Sequence, residues 1–180
     1  GQEKYTYFIC FIFFFCSRSQ HSSPFISGFE KTMPSVLSGA QRTVWIHIPN
    51  SDAGNKNAAA HYPVIYLLDG DANFNSVVSI TEFMSNAGLC PPMIVVGILH
   101  PARMTDLTFG TDKEMPGIKG QGEKFMRYVE KELMPYIESN YPTASYKIFI
   151  GHSVGGLTVV NTLIHHPHLF NAYVSLDGAL

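Results

Sequence analysis

The chain has 180 residues, 46% of them apolar, which is enough to bury the core of one ordinary domain. Charged side chains make up only 14%, and 12 basic against 14 acidic groups give a formal net charge of -2, so no basic excess exists to neutralise the phosphates of a nucleic acid partner. The 15 glycines and 11 prolines fall between apolar runs without a repeat period, which excludes disorder and solenoid or propeller architectures.

Tyr5 to Cys16 read YTYFICFIFFFC, an apolar run preceded by Lys4 and followed by Ser17, Arg18, Ser19 and Gln20. At about 1.5 Å per residue such a run is too short to cross a hydrocarbon core about 30 Å thick. A basic start, an apolar centre and small residues at Ser17 and Ser19 predict a secretory signal peptide over residues 1–20. The product would be exported, either secreted or periplasmic, and residues 21–180 would form the globular part. Two of the three cysteines, Cys10 and Cys16, fall in this leader. Cys90, next to Pro91 and Pro92, is then expected to be a small buried hydrophobe rather than a nucleophile.

Ser22 to Ser38 predict loop and a short edge strand. Arg42 to Pro49 (RTVWIHIP) alternates Val44, Ile46 and Ile48 with Thr43, Trp45 and His47, the period of an early antiparallel strand with His47 on its exposed side. Asn50 to Ala60 is polar and small, a surface connection. Tyr62 to Leu68 (YPVIYLL) is apolar throughout, as suits a strand covered on both faces. Asp69 to Asn73 reads as a turn, Val77 to Asn86 as a short helix stopped by Gly88, Pro91 and Pro92, and Met93 to Leu99 (MIVVGIL) as a second buried strand. From Gly122 to Ser139, Phe125, Met126, Val129, Leu133, Tyr136 and Ile137 recur at helical spacing opposite charged residues, which predicts an amphipathic helix loosened near Pro135. Tyr146 to Ile150 (YKIFI), a helix over Gly155 to His166, and Ala172 to Leu176 (AYVSL) complete an α/β alternation with a mostly parallel sheet.

Between YKIFI and the following helix stands Gly151-His152-Ser153-Val154-Gly155-Gly156, a G-x-S-x-G match. Three fixed positions match by chance in about 6% of chains of this length, so the context decides. Here a strand precedes the motif and a helix follows it, the setting in which a sharp turn lifts a serine hydroxyl above a sheet. Ser153 is thereby the candidate nucleophile. The amide of Val154, at the helix start, is a candidate oxyanion donor. A second donor is expected from the loop after YPVIYLL, where Gly70 permits close approach and the amide of Asp71, or of Gly70 itself, faces the same space.

Taken together, RTVWIHIP, YPVIYLLDGD, MIVVGI, the Arg103-x-x-Asp106-Leu107-Thr108 segment, the helix ending LMPYIE and GHSVGG resemble an esterase family of the α/β-hydrolases. It includes esterase D (S-formylglutathione hydrolase), feruloyl esterases and enterochelin-type siderophore esterases. The resemblance runs from about Gly28 to Leu180. It implies a three-layer α/β-hydrolase sandwich and a Ser-His-Asp/Glu triad that cleaves small-molecule carboxylic esters through an acyl-enzyme, with no metal or organic cofactor. Arg103 and Asp106 match the family's R-x-x-D-L-T segment and are read as scaffolding for the active-site loops.

In this superfamily the order is serine, acid, histidine, the last two on loops after later strands. Only 27 residues follow Ser153, so the sequence is expected to be the N-terminal part of the domain, incomplete at its C-terminus and close to inactive as it stands. Asp177, after AYVSL, is a candidate triad acid that competes with its reading as a turn residue before Gly178. His165, His166 and His168 (HHPH) do not face one another on a helix ended by Pro167. They read as C-terminal residues facing the helix dipole rather than as metal ligands. His152 lies inside the turn with its side chain directed away. Two alternatives stay open: a non-catalytic binding protein on a hydrolase scaffold, and an acyltransferase of the same fold.

Overall fold

The computed structural model describes residues 27–49, 60–110 and 119–178. The Tyr5 to Cys16 run, Cys10, Cys16 and nearly all of the Asn50 to Ala60 connection lie outside these residues. Among the described residues, six strands form one sheet: β1 (Phe29–Ser35), β2 (Ala40–His47), β3 (Tyr62–Leu67), β4 (Ile94–Ile98), β5 (Thr143–His152) and β6 (Ala172–Leu176). Their spatial order is β1-β2-β4-β3-β5-β6. β1 and β2 are antiparallel to each other, β2 is antiparallel to β4, and β4, β3, β5 and β6 run parallel.

The continuous apolar runs are explained by cover on both faces. Along β3 and at the residue after it, Val64, Tyr66 and Leu68 point into one core with Phe125, Leu133, Ile137 and Val159 of the helices, while Ile65 and Leu67 join a second core with Phe74 and Val78. The helix α1 (Gly70–Asn86) supplies that second face. The opposite face carries α2 (Arg103–Leu107), α3 (Gly122–Tyr128), α4 (Met134–Asn140) and α5 (Val154–His165). A π-helical turn over Val129–Leu133 joins α3 to α4. It falls just before Pro135, whose ring and missing N–H disturb the preceding turn of an α-helix, so the expected loosening has a definite form. Phe149 at the centre of β5 stacks on Phe170 with ring centroids 4.4 Å apart.

Three expectations need correction. Asp69 to Asn73 is not a separate turn: α1 starts at Gly70, and the Asp69 carbonyl accepts from the amides of Ala72 and Asn73, both at 3.1 Å. The helix can begin there because Gly70 lies against Gly97 of β4, where an added Cβ would stand 2.6 Å from the Gly97 carbonyl carbon. His47 is buried, not exposed, at 7% exposure. Its Nδ1 lies 2.9 Å from the Ser27 carbonyl and its Nε2 3.3 Å from Glu82. Cys90 is half-buried, its thiol 3.9 Å from the Thr81 carbonyl, and so is less enclosed than expected.

Candidate active site

Because β3, β4, β5 and β6 are parallel, the segments that leave their C-terminal ends gather along one edge of the sheet. That edge is where open α/β sheets place their ligands. Ser153 lies between the end of β5 and the start of α5, at φ +56 and ψ -120. A residue with a side chain seldom adopts this pair of angles, and holding it there costs on the order of 1–3 kcal/mol. Two hydrogen bonds fix it: the Ser153 amide donates to the Leu176 carbonyl at 2.9 Å, and the Leu157 amide donates to the Ser153 carbonyl at 3.0 Å.

Contact leaves little room for side chains at the glycines around the serine, least of all at Gly151. A Cβ on Gly151 would stand 2.3 Å from the Gly155 carbonyl oxygen, because strand and helix back onto each other across the turn. On Gly155 a Cβ would be 3.3 Å from a carboxylate oxygen of Asp69, and on Gly156 it would be 2.8 Å from the Ser175 hydroxyl oxygen. Helix geometry leaves the first amides of α5 and α1 without intrahelical acceptors. These include Val154 on one side and Gly70 and Asp71 on the other, the donors expected for an oxyanion.

Among the described residues, three without a glycine's freedom have positive φ: Asp69 (+53), Ser153 (+56) and Asp177 (+45). All three stand just past the C-terminal ends of β3, β5 and β6. Asp177 is exposed and directly follows Leu176, whose carbonyl accepts from Ser153.

The R-x-x-D-L-T segment forms α2 and its exit, and each charged residue has defined partners. Arg103 grips Asp69 with two bonds, Nε to Oδ1 at 2.7 Å and Nη2 to Oδ2 at 2.9 Å. The same Nη2 reaches the His152 carbonyl at 3.4 Å. The Asp69 carboxylate, as hydrogen-bond acceptor and opposite charge, pushes the Arg103 guanidinium further up. Asp106 is buried and pairs with Arg42 of β2 through both oxygens, one of them 3.0 Å from Nη2, and lies 3.3 Å from Nδ1 of His100. Burial works against its ionisation, but the bonds from His100 and Arg42 outweigh it and hold the Asp106 carboxyl below its usual range. Leu107 is tied to α5 by the Thr158 hydroxyl, which donates to its carbonyl at 2.9 Å.

Among the described residues, five histidines are engaged away from the serine. Nitrogens of His47, His61, His100, His165 and His166 face Ser27 and Glu82, Thr143, Asp106, Asn161, and Glu123 respectively. His152 and His168 are exposed. Among the described residues no group of three or more His, Cys, Asp or Glu is arranged to hold a metal ion, the HHPH stretch included. Asp69 is the site-edge residue that the sequence reading passed over as a turn. Its signal was an acidic residue ending a fully apolar strand, directly before a glycine.

A mostly parallel sheet, helices on both faces and a strained serine between strand and helix define an α/β-hydrolase fold. The chain belongs to the Esterase family, whose model, described as "Putative esterase", matches residues 35–179. It is 33% identical over 163 residues to the ferri-bacillibactin esterase BesA of Bacillus subtilis, covering 78% of this chain and 55% of BesA. It superposes with a TM-score of 0.73 on an IroE-like serine hydrolase from Shewanella oneidensis, at 32% identity over 83% of this chain and 50% of that one. A BES protein from Bacillus cereus gives 0.72 at 26% identity, over 91% and 66% of the two chains. The chain thus spans about half the length of the curated relatives it matches.

Proposed function

We propose that the protein hydrolyses carboxylic esters through an acyl-enzyme on Ser153. The observation that carries this reading is the strained Ser153, wedged between β5 and α5 with glycines on both sides and a helix start beside it. In the first step the Ser153 oxygen bonds to the ester carbonyl carbon and the carbonyl electron pair moves onto its oxygen, where the amides of Val154 and Asp71 receive it. The hydroxyl proton passes to a histidine, which returns it to the departing alkoxide as the ester C–O bond breaks. Water then repeats the sequence on the acyl-enzyme and releases the acid. No metal or organic cofactor takes part.

We place the histidine and its orienting acid in sequence beyond residue 180, in keeping with the chain's coverage of about half of its relatives and with the superfamily order. Asp177 is the rival for the acid. The 180-residue chain alone is then nearly inactive, since loss of the base from a serine triad lowers kcat by about 10^6-fold. The substrate class to try first is the siderophore ester, because BesA is named for ferri-bacillibactin. Export by residues 1–20 belongs to the same proposal.

The test is turnover of p-nitrophenyl acetate and labelling by a fluorophosphonate, in the full-length gene product and in the 180-residue chain. Activity in the former, lost in Ser153→Ala, supports the reading. Undiminished turnover by Ser153→Ala would overturn it, and full turnover by the 180-residue chain would overturn the placement of the base. Labelling without turnover of any ester but with acyl transfer to an alcohol would reassign the chemistry to an acyltransferase.

A further inference from the structure

We infer that Asp69 is a positioning residue for the ester hydrolysis proposed above: through Arg103 it locks the two segments carrying the oxyanion amides into one rigid unit. The inference rests on Ser153 being the nucleophile, and it adds a residue pair that acts on the reaction without touching the substrate.

The amides of Val154 and Asp71 come from different strands and different helices, on β5–α5 and β3–α1. An oxyanion hole works only if its donors keep a fixed separation while charge develops, because donors that must move at that moment lose much of their advantage. β3 and β5 pair directly, up to the bond from the Leu68 amide to the Ile150 carbonyl at 2.9 Å. Beyond that last bond, where the donor amides lie, Asp69 joins the two segments from both its backbone and its side chain. Its carbonyl accepts the first bonds of α1, from Ala72 and Asn73, so its left-handed backbone fixes where Gly70 and Asp71 point. Its carboxylate is gripped on two oxygens by Arg103, and Arg103 Nη2 also donates to the carbonyl of His152, the residue before Ser153. A continuous path of bonds therefore runs from the start of α1 to the residue before the nucleophile.

The second glycine of the elbow fits the same picture. An added Cβ on Gly155 would lie 3.3 Å from Asp69 Oδ2, so the absence of a side chain at 155 gives the carboxylate its seat against α5. The pair also has a required charge. An unpaired carboxylate at this place would oppose the negative charge that forms on the substrate oxygen, and Arg103 cancels it.

These features give a sign that simple structural support does not. In the full-length gene product, Asp69→Asn keeps the shape and tolerates the left-handed backbone but loses the bidentate grip. It is expected to lower kcat about 10-fold with KM changed by less than about threefold. Arg103→Met leaves the carboxylate unpaired beside the oxyanion and is expected to lower kcat about 100-fold. The double variant Asp69→Asn/Arg103→Met is expected to recover to the level of Asp69→Asn alone, since the offending charge is gone. Affinity for a boronic acid that forms a tetrahedral adduct on Ser153 falls in parallel with kcat/KM across the set.

An unchanged kcat in Asp69→Asn, a loss confined to KM, or a double variant as poor as or worse than Arg103→Met overturns the inference. Thermal unfolding of each variant is measured alongside. If Asp69→Asn does not fold, Arg103→Lys, which keeps the charge and loses the fork, decides by the same kcat and KM criteria. If Ser153→Ala retains activity, the esterase reading itself has failed. If Ser153→Ala is inactive and Asp69→Asn is fully active, only the clamp has failed.

Discussion

Replacing Gly151 by alanine tests the elbow at its tightest point. The added methyl would stand 2.3 Å from the carbonyl oxygen and 2.5 Å from the carbonyl carbon of Gly155. Both atoms are backbone, so no side chain can swing aside. To restore even a 3.0 Å contact the start of α5 must retreat from β5 by about 0.7 Å. A displacement of that size at a reacting centre lowers the rate by about 10- to 100-fold, and overpacking of this kind destabilises by about 1–3 kcal/mol. Gly88→Ala is the control, since that position has φ +72 with nothing within 4 Å of an added Cβ. It pays only the backbone penalty of about 1–2 kcal/mol and leaves the rate of the reaction alone. The assay is the rate of Ser153 phosphonylation by a fluorophosphonate in the full-length gene product, with urea unfolding of each variant. Wild-type labelling and stability in Gly151→Ala would show that strand and helix do not approach closely at the elbow, and would refute a sterically enforced turn at Ser153.

Asp106→Asn leaves Arg42 buried without its partner and is expected to cost about 3–5 kcal/mol at pH 7 in urea unfolding. Because the folded-state carboxyl titrates below its unfolded value, its contribution is complete above the ordinary aspartate range and fades as pH falls through the folded pKa. The gap between wild type and Asp106→Asn therefore narrows on acidification from pH 5 toward 3, and a gap independent of pH would refute the ion pair. Thr158→Val removes the hydroxyl that joins α5 to the Leu107 carbonyl and is expected to cost about 1–2 kcal/mol, read as a lower urea midpoint. Phe149→Ala empties the centre of β5 against Phe170 and is expected to cost about 3–5 kcal/mol by the same measurement.

The buried strands were legible because a parallel strand covered on both faces has no polar period to obscure it, as in YPVIYLL and MIVVGIL. The elbow was legible because its requirements are local: strand, glycine, serine, glycine and helix within a dozen residues. The start of α1 was not, since Asp69-Gly70-Asp71-Ala72-Asn73 has the composition of a turn. What makes it helical is the seat of Gly70 on Gly97, 27 positions away in β4. His47 was misjudged for the same kind of reason: strand alternation assigned it to the open side, while α1 brings Glu82 over it and the chain before β1 brings the Ser27 carbonyl. Arg103 and Asp106 stand out in the sequence as a pair, but their partners Asp69, Arg42 and His100 come from three other segments and carry no spacing signal.

The three strained residues Asp69, Ser153 and Asp177 show how this long-range order reaches the chemistry. Backbone strain persists only where surroundings overdetermine it. At Ser153 the restraint comes partly from β6, through the bond from its amide to Leu176, and β6 in turn is held against α5 by the Ser175 hydroxyl, which donates to the Gly156 carbonyl at 3.0 Å. At Asp69 it comes from Arg103 on α2, and α2 is fastened to α5 through Thr158. The geometry of Ser153 is therefore a property of β5, β6, α2 and α5 together. The six-residue motif specifies which residue is strained, and the packing of elements on either side of it keeps the strain from relaxing.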